Sequence, residues 1–362
     1  MNKYLFLCAI ILACCLPISA QLAITKAVVI AEEGKANTGL LAIDVPAPGQ
    51  VAIAWRDAKG ATRYTLVDLA KSEQNDGKVI DGEQVCGLTH HILGIRRDDN
   101  GVVRMGLNNG KKLIEWTRQA NGKWIASDTK TVSAGYYGAT ARYDVNRKTG
   151  RGAFIAVNDE KCSVLLTGNE EGQWQSAVLE EEQNPVTRGA LVINPAGIPV
   201  VAYQVLKGQG IIKAGTMATA SAVTRQAVQY FPMAITANAA GTLYLVVAVN
   251  GTLVECYSSA DDGASWKRIG QVAKKATNGD AAYLAAAAAP KGRTLAALIA
   301  DSSAPSGCQL AISTDAGATW QQFSLPGAMV QCADLGFDEN GDLYVAYFHS
   351  DDKVIYLLTT KL

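Results

Sequence analysis

Ser259-Ala-Asp261-Asp-Gly263-Ala-Ser265-Trp266 and Ser313-Thr-Asp315-Ala-Gly317-Ala-Thr319-Trp320 are two copies of one pattern, Ser-x-Asp-x-Gly-x-Ser/Thr-Trp. Each follows an alternating apolar stretch that reads as a strand. A carboxylate two residues before a Gly can accept hydrogen bonds from backbone N–H groups of its own tight turn. The Gly takes a backbone conformation that a Cβ hinders. The Ser and Thr hydroxyls tie the flanking strands, and the Trp buries a broad apolar face against a neighbouring unit. Asp261 and Asp315 are therefore read as turn-forming residues rather than as reactive groups.

A second signal recurs around these copies: an apolar strand, a turn ending in Gly, then another apolar strand. The turn glycines are Gly49, Gly101, Gly150, Gly197, Gly241, Gly292 and Gly341. Their spacing, roughly 45 to 50 residues, suits one four-stranded blade per copy. Space narrows where blades meet at an axis, which explains the small residues Ala285 to Ala289; Pro290 and Gly292 behind them favour a strand and turn over a helix. Asn121-Gly-Lys-Trp124 and Glu171-Gly-Gln-Trp174 read as shortened versions of the opening pattern. The last copy supplies only three clear strands, ending in Lys353 to Thr360. The apolar segment Leu22 to Ile30 can donate the fourth. The expectation is an all-β, seven-bladed β-propeller of four-stranded antiparallel blades, closed by an N-terminal strand joining the C-terminal blade.

The repeated pattern resembles the Asp-box, or BNR repeat, of sialidase-like β-propellers. That resemblance covers the scaffold over most of the chain after residue 20. It implies that Ser259, Asp261, Gly263 and Trp266, with Ser313, Asp315, Gly317 and Trp320, are structural and lie at outer hairpins away from the ligand face. It does not extend to the hydrolase signature of sialidases: no Arg-Ile-Pro occurs, and no Tyr–Glu nucleophile pair can be assigned. Leu93-Gly-Ile-Arg96-Arg97-Asp98-Asp99 precedes a turn and is placed on the opposite side. Fold does not carry function with it.

The chain begins Met1-Asn-Lys3, continues apolar from Tyr4 to Ile18, and exits through Ser19-Ala20-Gln21. That is the form of a secretory signal, residues 1–20, followed by a single propeller domain over residues 21–362. A secreted or periplasmic location follows; Ile11-Leu-Ala-Cys14 is a poor lipobox, so a lipid anchor is the lesser alternative. No other segment is long and apolar enough to span a bilayer. Lys and Arg total 33 and Asp and Glu 33, so no net charge attracts nucleic acid.

Cys86, Cys162, Cys256, Cys308 and Cys332 remain after the signal, an odd number. Cys308 and Cys332 are the pair best placed for a disulfide, and buried thiols are the alternative. No Cys/His spacing suggests a metal, and no cofactor motif is present. Asp98-Asp-Asn-Gly101 and Asp338-Glu-Asn-Gly341 have calcium-like composition, yet they fall where the repeat requires a turn.

Propeller ligands gather where loops enter first strands and leave second strands. Candidates there are Arg56, Asp57, Tyr136, Gln204, Tyr230, Asp301 and, entering the last blade, Asp334. Aromatic rings and forked polar groups suit a sugar. His91, Tyr137, Arg188 and His349 are the catalytic candidates: an Arg that neutralises a uronate beside a His or Tyr that moves the proton is workable lyase chemistry. No local motif assigns their roles. The expected partner is a glycan or polysaccharide, with three versions open: binding, lyase or glycosidase action, and a protein-interaction propeller without catalysis.

Overall fold

The computed structural model describes residues 24–31, 41–57, 59–72, 82–88, 91–109, 112–132, 141–158, 162–169, 171–180, 189–205, 211–225, 233–249, 253–274, 281–301, 308–325, 328–349 and 354–362. They form seven four-stranded antiparallel sheets. Blade I is β2 (Leu41–Ala47), β3 (Gln50–Arg56), β4 (Ala61–Asp68) and β5 (Glu83–Leu88), with one helical turn, α1 (Leu69–Ser72), after β4. Blade II is β6 (His91–Arg97), β7 (Val103–Asn108), β8 (Lys112–Arg118) and β9 (Trp124–Val132). Blade III is β10 (Arg142–Val145), β11 (Gly152–Val157), β12 (Ser163–Gly168) and β13 (Trp174–Glu180). Blade IV is β14 (Gly189–Ile193), β15 (Pro199–Val205), β16 (Ile211–Gly215) and β17 (Ser221–Arg225). Blade V is β18 (Met233–Ala237), β19 (Leu243–Val249), β20 (Leu253–Ser259) and β21 (Lys267–Lys274). Blade VI is β22 (Ala281–Ala288), β23 (Leu295–Asp301), β24 (Cys308–Ser313) and β25 (Gln321–Leu325).

Blade VII is assembled from both parts of the chain. It holds β26 (Ala328–Phe337), β27 (Leu343–His349), β28 (Val354–Thr360) and, on the outside, β1 (Ile24–Ala31). β1 runs antiparallel to β28, with Val28 opposite Leu357. First strands of successive blades adjoin all the way round, and β26 meets β2 to complete the ring. The alanine run expected to be a strand is one, β22.

No single sheet has a core of its own. Seven apolar clusters lie between adjacent blades, one at each junction. Leu41, Ile53, Tyr344 and Leu357 close blades I and VII, for example, and Tyr143, Phe154 and Leu166 of blade III pack with Leu93 and Leu113 of blade II. Burial of a large apolar side chain contributes about 1.5–3 kcal/mol, and here each contribution needs two blades in place.

The exposed edge of each first strand faces the axis, where no further strand pairs with it. Side-chain acceptors take up some of those N–H groups and join one blade to the next. Asp334 Oδ2 accepts from Ile43 N at 2.9 Å, Asp44 Oδ2 from Arg97 N at 2.7 Å, and Asp144 Oδ2 from Ile193 N at 2.8 Å. Thr236 Oγ1 accepts from Ala288 N at 3.2 Å in the same way.

The seven turn glycines between first and second strands all have positive φ, from 69° to 87°. Asp98 Oδ1 accepts from the amides of Asn100 and Val102, and Asp338 Oδ1 from those of Asn340 and Asp342. These carboxylates serve their own hairpins, as expected for turn tips. Among the described residues no cluster of three or more His, Cys, Asp or Glu side chains is arranged to hold a metal.

The two opening segments link third to fourth strands in blades V and VI. Ser259 Oγ donates to Asp261 Oδ1 (2.7 Å) and accepts from Gly263 N (2.9 Å). Asp261 also accepts from Ser265 N (2.9 Å) and Ser265 Oγ (2.5 Å). Ser313, Asp315, Gly317 and Thr319 repeat every one of these bonds. Trp266 Nε1 and Trp320 Nε1 each donate to the Gly carbonyl of their own turn, at 3.1 and 2.9 Å, and Trp266 Nε1 also reaches across to Ala214 O of blade IV at 3.1 Å. The hydroxyl of Ser265, then that of Ser259, holds the Asp261 carboxyl down to about 2; Thr319 foremost does the same for Asp315.

The disulfide expectation is corrected. Cys308 is a free thiol, buried at the junction of blades VI and VII, and burial pushes it up to about 12. The residue serves as a small apolar group at the head of β24.

Candidate functional site

Second strands begin at the Gly turns and end on the opposite face of the ring. Their interiors are apolar, as in Val51 to Trp55, Val200 to Tyr203 and Leu343 to Phe348. Their final residues are polar in four blades, Arg56, Asn108, Asp301 and His349, and in a fifth Gln204 stands one residue before the end of β15. Asn108 and Gln204 are fully buried, and His349 is 8% exposed. Packing alone would be served by apolar side chains at these positions, since a buried polar group costs free energy unless it is hydrogen-bonded.

Arg56 is half-buried, and its Nε has no hydrogen-bond acceptor. The His349 ring stands edge-on to Tyr356, with centroids 5.9 Å apart, and Tyr356 in turn packs against Tyr347 at 5.7 Å. His91 opens β6 directly opposite Asn108, so it shares this face. His91 belongs to blade II and His349 to blade VII, with blade I between them. Asp57 follows Arg56, but its carboxylate is engaged: Oδ1 accepts from the amides of Lys59 and Ala61, and Oδ2 takes Arg63 Nε at 2.8 Å. Burial pushes the Asp57 carboxyl up; the Arg63 and backbone bonds outweigh that and leave it below the usual range. Asp301 ends β23 opposite Ala281. Tyr136, Tyr137, Arg188 and Tyr230 lie outside the described residues, so the proposed His–Tyr–Arg grouping is represented by its two histidines alone.

Asp334 does not enter the ring of loops. It sits inside β26, one of its oxygens on Ile43 N and the other on Leu335 N at 2.9 Å, and burial raises its pKa. It belongs to a charged network among the first strands, for which no sequence motif stands. Arg96 Nε donates to Asp144 Oδ1 at 2.7 Å, and Arg147 donates to Asp44 from two blades away. Burial alone would lower the Arg96 pKa, but Asp144, Asp44 and Asp334 around it hold it above its ordinary value. The network lies toward the Gly-turn face, where Arg96 and Arg97 were expected. A signal for it was present: Asp44, Arg96 and Asp144 are charges inside otherwise apolar first strands.

No family model matches the chain, and no curated protein does either. Solved structures do. Virginiamycin B lyase from Staphylococcus aureus matches at TM-score 0.58 and 14% identity, over 93% of this chain and 99% of the lyase. A polysaccharide lyase, ulvan lyase, bound to a GlcA–Rha3S chain, matches at TM-score 0.55 and 9% identity, over 92% and 96%. Aleuria aurantia lectin in complex with Fucα1-6GlcNAc matches at 0.52 and 13%, over 73% and 90%. At these identities the likeness is one of fold.

Proposed function

We propose that this protein is a secreted or periplasmic Asp-box propeller that engages a glycan on the face where its second strands end. The observation that carries the reading is the set of polar side chains at or next to the ends of apolar second strands on one face: Arg56, Asn108, Gln204 and His349. Forked donors and acceptors of this kind match the hydroxyls of a sugar. The lectin and the ulvan lyase, solved with saccharides, support the reading by showing that this architecture accommodates such ligands. The signal-like residues 1–20 support export. Binding is the leading version; lyase action through His91, Tyr137, Arg188 and His349 is the alternative, favoured by two histidines on the same face.

The test is incubation of the full chain with a glycan panel, with binding, ultraviolet absorbance from unsaturated products and new reducing ends followed together. Binding that weakens in Arg56→Ala and His349→Ala, without product, is the expected result. Unsaturated product lost in His349→Ala would establish the lyase version instead. Absence of binding and of product across neutral and acidic glycans would overturn both and leave a protein-interaction propeller.

A further inference from the structure

A cavity of about 290 Å3 lies between blades II and III, on the Gly-turn face and so opposite the axial candidates. Its existence follows from hairpin length. In blade V seven residues separate β20 from β21, and that hairpin packs directly on blade IV: a Cβ on Gly263 would lie 2.3 Å from Gly215 Cα. In blade III only five residues separate β12 from β13. The shorter hairpin stops short of blade II. Four of the residues around the gap are glycines, so no side chain fills it from that side. The junction of blades I and II has an equally short hairpin, but Glu83 occupies it, held by Arg118 at 2.6 Å and Trp124 Nε1 at 2.9 Å. The indole N–H of the corresponding Trp174 donates to Ser127 Oγ at 3.4 Å.

The chemistry of the wall is specific. Glu115 is 6% exposed; its Oε2 accepts from Tyr143 OH at 2.5 Å and its Oε1 from Arg104 Nη1 at 3.3 Å. Each oxygen keeps a further lone pair. Arg104 Nε is buried with no hydrogen-bond acceptor; Asp98 Oδ2 is 3.8 Å away. Gly152 makes the arrangement possible, since a Cβ there would lie 2.3 Å from Glu115 Oε2. Trp174, half-buried against Phe154, supplies a flat apolar surface beside this pair. A carboxylate and a guanidinium side by side offer an acceptor and a fork of donors at the spacing of neighbouring hydroxyls. A ligand carboxylate would meet Glu115, and Arg104 already has Glu115 and Asp98 as counter-charges. The volume is at the small end of ligand sites, enough for one sugar ring.

We propose that this cavity is a saccharide site for a single neutral pyranose residue, with Arg104 and Glu115 taking adjacent hydroxyls and Trp174 forming the apolar wall. It is separate from the axial site and stands or falls independently of it. Saturation-transfer NMR on the full chain with a panel of neutral hexoses, deoxyhexoses, N-acetylhexosamines and glucuronate tests it. At least one neutral pyranose is expected to bind, and to bind at least about tenfold more weakly in Arg104→Ala. Ser127→Tyr, a change at a half-buried position that fills the gap, provides the same readout should Arg104→Ala fail to fold. All arms are read in an Arg56→Ala background, which weakens the axial site on the other face and leaves the residues of this cavity in place. No binding by any neutral pyranose at millimolar concentration overturns the proposal. So does binding that survives Ser127→Tyr, or glucuronate binding more tightly than every neutral sugar.

Discussion

Removing residues 24–31 tests whether the ring depends on its closure. Six register pairs join β1 to β28. An antiparallel ladder supplies about one backbone hydrogen bond per pair, and each is worth about 0.5–1.5 kcal/mol net. The truncation therefore costs about 3–9 kcal/mol on the hydrogen-bond ladder alone. A folded domain has about 5–15 kcal/mol in total. β28 would also become a bare edge whose seven residues are otherwise buried, and such an edge invites pairing with another chain. Size-exclusion chromatography with light scattering and urea denaturation provide the assay. The truncated chain should be unfolded or associated, and a synthetic peptide of Ile24–Ala31 added in trans should restore monomer and raise the denaturation midpoint. A truncated chain that stays monomeric and loses less than about 1 kcal/mol, below the worth of two ladder bonds, refutes the closure argument.

Three further outcomes are expected. Gly263→Ala should cost about 1–3 kcal/mol more than Gly241→Ala by denaturant midpoint, because both have φ near +85° but only Gly263 has backbone, at Gly215, within contact of a new Cβ. Phe154→Ala should cost about 3–5 kcal/mol, since its ring is fully buried between Tyr143 and Trp174 at 4.6 and 5.1 Å. Acid unfolding should report the two depressed carboxyls, Asp261 and Asp315. Their folded-state pKa of about 2 lies below the ordinary value near 3.9, so their contribution is present above the latter and disappears as pH falls through the former. Asp261→Asn with Asp315→Asn should flatten the stability curve over that window, and an unchanged acid limb would exclude it.

The ring was legible because its punctuation is chemical. A Gly at each first hairpin and a Trp at the head of several fourth strands recur whatever the apolar residues between them. Closure was legible from a deficit, three strands where four were needed, and a spare apolar segment near the start. The sites were harder to see. Arg104 and Glu115 sit within Val-Arg-Met and Leu-Ile-Glu-Trp, with no motif around them, and are brought together only by pairing of β7 with β8. The gap they face depends on two missing hairpin residues in the next blade. Asp334 stands at the start of the apolar run that reads as the last first strand, yet β26 begins six residues earlier, at Ala328, and extends through it. The free Cys308 shows the limit of proximity in sequence, which says nothing of whether two sulfurs face each other.

Asp44, Asp144 and Asp334 each clasp a main-chain amide of the following sheet, whatever charged side chains they also meet. A clasp of that kind is indifferent to what residue the neighbour carries. Successive sheets can therefore differ widely in composition, as the alanine-rich sixth and the arginine-bearing second do, and still be fastened to their neighbours by the same kind of bond.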